Sequence, residues 1–170
     1  LSLQEPESLE RFLILTELAS EQQRYWGSYI FRTSSNSEPY FIESPRPLLE
    51  SNSFDYAINL FQDLNAKALL VATSHARANV NGQANILARN NEVTLFNRIH
   101  QGLLRHYQTL SPLVIQTRGL GFKQWHSEGS VDVRLALWQN SNDQYSTPLM
   151  NKLLQQIALS GLSYDLVNGE

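Results

Sequence analysis

The sequence predicts an α/β domain, a largely parallel or mixed sheet with helices on both faces. Two observations carry this. Short apolar runs of strand length alternate along the chain with segments whose apolar residues recur at helical spacing. One of those runs, KALLVATS, is apolar on successive residues, as expected of a strand covered on both sides. At 170 residues without an internal repeat, the chain is long enough for one domain with its own core.

Taken in order, the segment PESLERFLILTELASEQQ has apolar residues at 9, 12, 13, 15 and 18 with acidic Glu5 and Glu7 near its start, which predicts an amphipathic helix. WGSYIFRTS and YFIES, rich in aromatic and β-branched residues and separated by the turn-forming SNSEP, predict a β-hairpin. An open loop, SPRPLLESNS, follows. SFDYAINLFQDLNA reads as a helix with residues 54, 57, 58, 60, 61 and 64 on its apolar side, and KALLVATS as the next strand. Residues 74–91 are polar and rich in Asn, longer than an ordinary connector, and loops of that length are usually functional. EVTLFNRIHQGLLRHYQTL carries the strongest helical stripe. PLVIQTRGLGF and VDVRLALWQ then read as strands, TPLMNKLLQQIALSG as a helix ending at Gly161, and LSYDLV as a last strand.

Composition excludes some functions. The net charge is −3 with no cluster of Lys or Arg, so no patch is available to release counterions from a phosphate backbone, and nucleic acid is not expected as a partner. No apolar run approaches the roughly 18 residues needed to span a bilayer, so no membrane insertion is expected. With no cysteine there is no disulfide framework or thiolate metal site. The chain starts at Leu1; a removed secretory signal is one reading of that start and would place it in the periplasm or outside the cell.

In open α/β sheets ligands bind beyond the carboxyl ends of the strands. Three polar loops leave strands in that sense, those holding Arg46, His75 and Arg118. Arg46 is stiffened by Pro45 and Pro47, and Arg118 precedes Gly119. Two arginines at neighbouring strand ends can form an anion site; the alternative is that they pair with Glu43, Glu50 or Asp132 in ordinary salt bridges. His75, with Arg77 and Asn79 behind it, could orient a carboxylate or an amide, or could simply brace its own loop. His100 and His106 lie six apart on one helix, a spacing that does not share a face, and a joint metal site there is not expected. His126, beside Trp125 and Glu128, reads as a surface residue. No GxSxG, HExxH or GxxxxGK[ST] motif occurs.

The succession YWGSYIFR, IESPRPLLE, ALLVATSHARAN and LVIQTRGL resembles bacterial zinc-dependent amidohydrolases of the carboxypeptidase-like fold, distant relatives of poly-gamma-glutamate hydrolases and N-formylglutamate amidohydrolases. The resemblance covers residues 25 to about 122 and more loosely extends to 167. It implies a zinc held by histidines of a P-H-P loop and a Q-x-H-G strand end, together with an acidic residue, and a metal-bound water that attacks an amide carbonyl. Glu50 stands at the acidic position, and His75 and Asn79 lie in a loop similar to the family's A-H-R-x-A-N, with Arg77 one place later than the family's arginine. Both histidine positions carry arginine instead, in Pro45-Arg46-Pro47 and Gln116-Thr117-Arg118-Gly119. A guanidinium has no lone pair for a metal. The resemblance also implies a late strand carrying a general-base glutamate, and none follows LSYDLV here.

Together these features predict a metal-free, cofactor-free relative of amide hydrolases that binds an anionic peptide or small carboxylate through Arg46, Glu50, His75, Arg77, Asn79 and Arg118. The alternatives are an active zinc-dependent hydrolase with a rearranged site built from Glu43, Glu50 and His75, and a scaffold for another protein, which would present an exposed apolar patch.

Overall fold

The computed structural model describes residues 11–17, 26–75, 77–78, 84–87, 94–119, 133–137, 151, 154–155, 157–159, 161 and 163–168. The chain divides into two compact units, Leu1–Gly119 and Leu120–Glu170. Asn79, Asp132, and His126 with its neighbours lie outside the described residues.

The first unit holds a five-stranded mixed sheet, built from β1 (Phe12–Thr16), β2 (Ser28–Arg32), β3 (Glu38–Ser44), β4 (Ala66–Val71) and β5 (Leu113–Gln116), in the order β1-β2-β4-β3-β5. β3 runs parallel to both β4 and β5, while β2 is antiparallel to β4 and β1 antiparallel to β2. Two helices, α1 (Ser53–Asp63) and α2 (Leu95–His106), cover opposite faces, because side chains alternate across each strand. Phe41, Ala68, Leu70 and Tyr29 point to one face and pack with Phe96, Ile99 and Leu103 of α2. Ile42, Leu69 and Val71 point to the other and pack with Ala57 and Phe61 of α1. The α/β class and the helices on both faces are as the sequence predicts.

Two local expectations are overturned. The predicted N-terminal helix contains β1, because Phe12, Leu13, Ile14 and Leu15 form an unbroken apolar run that suits a strand as well as a helix stripe, and pairing with β2 decides it. The predicted hairpin does not form. β4 lies between β2 and β3, and β3, whose Phe41 to Ser44 are all buried, takes a central place in the parallel part of the sheet. Arg32 helps to fix this order. It is 2% exposed, donates from Nε to Ala66 O at 3.2 Å and from Nη2 to Phe61 O at 3.3 Å, and lies over the rings of Phe12 and Phe61. It thus satisfies a carbonyl in the last turn of α1, which has no basic residue of its own there.

In the second unit β6 (Val133–Leu137) and β7 (Tyr164–Asn168) pair in parallel, and described residues between 151 and 159 are helical. Parallel pairing requires a crossover, and a helix is the usual one.

Candidate functional site

β3, β4 and β5 end on the same edge of the sheet, and the loops holding Arg46, His75 and Arg118 leave from it. The Arg46 loop is central, because β3 lies between the other two strands. Pro45 is buried, and the carbonyl of Arg46 accepts from the backbone N–H groups of Leu49 and Glu50, both at 3.0 Å, so the chain turns at once and presents Glu50 back toward β5. There Arg118 grips Glu50 with Nη2 at 2.9 Å from Oε1 and Nε at 3.0 Å from Oε2, and the Gly119 N–H donates to Oε2 at 3.0 Å. Gly119 is required for this approach. A Cβ there would stand 2.8 Å from the Cβ of Glu50. Burial pushes the Glu50 carboxyl up, but the hydrogen bonds from Arg118 and Gly119 and the charges of Arg118 and Arg46 outweigh it and hold the group below its ordinary value of 4.5.

Arg46 and Arg118 thus converge on one carboxylate but on different terms. Arg118, half open to solvent, is spent on Glu50. Arg46 is partly buried, contributes only its charge to Glu50, and has a buried Nε with no hydrogen-bond partner among the described residues. The three groups together keep one positive charge. His75 and Arg77 are exposed and are tied to each other, with the Arg77 N–H donating to His75 Nδ1 at 3.0 Å. Of the predicted residues the structure brings together Arg46, Glu50 and Arg118. It shows no contact from His75 or Arg77 to them, which is the loop-bracing alternative.

A second cluster lies on the α2 face of the same edge. Glu43, the penultimate residue of β3, is fully buried. Its Oε1 is 2.6 Å from Nδ1 of His100 on α2, and its Oε2 accepts from Gln116 Nε2 at 2.8 Å across the β3–β5 pair. The hydrogen bond to Glu43 raises the His100 pKa above its ordinary value of 6.5; burial works against this and the carboxylate charge adds to it. The His100 side chain stays 23% exposed, and its Nε2, on the far side of the ring from Glu43, has no hydrogen bond to a described residue. His100 carries no signal within its own helix, because its partner lies 57 residues away on β3. The available signal is Glu43, a carboxylate directly after the apolar run YFI of a buried strand, which needs a partner from some other element.

On the opposite face Thr117 closes the strand end, donating from Oγ1 to Ser53 O at 2.7 Å, while its N–H reaches Glu43 O at 2.9 Å. The zinc implied by the resemblance does not fit these residues. Arginines stand at both histidine positions, Glu50 is engaged by one of them, and Glu43, Glu50 and His75 do not form one cluster; among the described residues no group of three His, Asp or Glu side chains could hold a metal. Nor, among the described residues, is any helix long and apolar enough to cross a membrane. No family model, curated protein or solved structure matches the chain.

Proposed function

We propose that the chain is a binding domain for a carboxylate-bearing ligand, a peptide or small dicarboxylate, which it holds at the strand-end edge without hydrolysing it. The observation that carries this reading is Arg46, partly exposed, whose guanidinium adds its charge beside a carboxylate already engaged by Arg118, so that the three groups keep one positive charge at the strand-end edge. Charge-assisted hydrogen bonds from arginine to a carboxylate are the natural way to balance that charge. The resemblance to amide hydrolases of glutamate-containing substrates supports the same ligand class, with arginines in place of metal ligands. Calorimetric titration with glutamate oligomers and with simple dicarboxylates tests it. Saturable binding that weakens with added salt and disappears in Arg46→Ala is the expected result, and no binding by the unaltered chain overturns it.

Proton-transfer chemistry is the second reading, favoured by the 2.6 Å contact that fixes one imidazole nitrogen of His100 on Glu43 and leaves the other turned away from it. Hydrolysis of an N-acyl glutamate by the purified chain, lost in His100→Leu, would favour this reading over simple binding.

A further inference from the structure

We propose that two copies of the chain associate through β1, the strand pairing antiparallel with its own counterpart about Ile14, so that the sheet runs continuously from one copy into the other. β1 is the outermost strand of the sheet, and among the described residues no strand pairs with its outer side. An edge of this kind presents a row of backbone donors and acceptors to any strand that can meet it. The row is also apolar. Leu13 is 61% and Ile14 63% exposed, and Phe12 and Leu15 are nearly half exposed. Natural edge strands are usually blunted with charge or proline, and FLILT has neither. Yet the strand is held in place, with Phe12 packed on Phe61 at 5.9 Å between ring centroids and covered by Arg32, so it is a formed edge ready for pairing.

The sequence around β1 selects a second copy as the occupant. Pairing about Ile14 sets Leu13 opposite Leu15 of the other copy, Phe12 opposite Thr16, and Ile14 opposite itself. It also places Arg11, just before the strand, opposite Glu17, just after it, at both ends of the contact. Arg11, Leu13, Leu15 and Glu17 have the same parity and so share one face of the strand, which makes a row of charge, apolar, apolar and opposite charge that is complementary to itself on reversal. A two-fold axis through Ile14 keeps each face of the sheet continuous across the junction. A slip of one residue would lose both charge pairs and set the rows on opposite faces. Self-complementarity about an axis is what a symmetric dimer interface requires.

The test is the mass in solution of the full 170-residue chain, by light scattering over a dilution series, for the unaltered protein and four variants. The unaltered chain is expected to approach twice the 19.4 kDa of one copy on concentration. Ile14→Lys, an exposed position, should be monomeric. Arg11→Glu and Glu17→Arg should each weaken association roughly fivefold by setting like charges opposite one another, and the combined variant should recover it. A monomer at every concentration overturns the proposal. So does a dimer that survives Ile14→Lys, which would place the contact elsewhere, and so does a combined variant no better than its two parents, since the antiparallel register demands that recovery. Circular dichroism of each variant confirms that the fold is kept.

Discussion

At the residue scale Glu50 and His100 of the strand-end edge respond oppositely to pH. Glu50 is held below its ordinary value, so the stability it contributes is present above about pH 4.5 and is lost as pH falls through its folded-state pKa. His100 is held above its ordinary value by Glu43, so its contribution is complete below about pH 6.5 and is lost as pH rises through its folded-state pKa. His100→Leu leaves the buried Glu43 with Gln116 alone as a side-chain partner among the described residues and is expected to destabilise the protein by about 3 kcal/mol at pH 6, the scale for removing one member of a buried pair. The deficit should shrink at higher pH, where the unaltered protein has itself lost the imidazolium. Denaturant unfolding at several pH values reads both effects, and a deficit that does not change with pH would mean that His100 acts through packing alone. Gly119→Ala should disturb the other cluster, because the added methyl meets the Glu50 backbone and Cβ and displaces the carboxylate from Arg118.

At the element scale α2 matters because it brings His100 to Glu43. It starts at Thr94, whose Oγ1 accepts from the Asn97 N–H at 3.2 Å, and it ends with Arg105 and His106, whose position suits the carbonyl end of the helix dipole. Thr94→Ala should lower stability by about 1 kcal/mol, measurable by thermal or denaturant unfolding, while leaving the apolar contacts of α2 with the sheet intact. The helices and the buried strands were legible in the sequence because their periodicity is local: the stripe of α2 and the continuous apolar run of β4 each declare a partner on one or both sides. What was not legible is non-local. Whether FLILT becomes helix or strand depends on the edge of β2 being available, and whether β2 and β3 pair depends on β4, which is made later in the chain and fits between them. The same limit applied to the site. Arg46, Glu50 and Arg118 were found through the loops that follow strands, whereas Glu43 and His100 meet across 57 residues of sequence from a strand and a helix, neither marked by a motif.

At the scale of the whole molecule, the first unit holds the described parts of the strand-end edge: the five-stranded sheet, both helices, and the ties from Arg118 and Gly119 to Glu50 that close its last segment. Its apolar core is layered on both faces of the sheet, and more than two strands packed against helices is what independent stability needs. Among the described residues the second unit shows one pair of parallel strands and helical residues between 151 and 159. Residues 1–119 expressed alone are therefore expected to fold, with a cooperative unfolding transition and the same loss of stability above the His100 pKa as the full chain. Because β1 belongs to this unit, the fragment should also dimerise, and its melting temperature should rise with concentration as mass action requires. A fragment that unfolds without cooperativity would show that the sheet depends on residues after Gly119. A fragment that folds but has lost the pH response would separate the stability of the sheet from the Glu43–His100 pair.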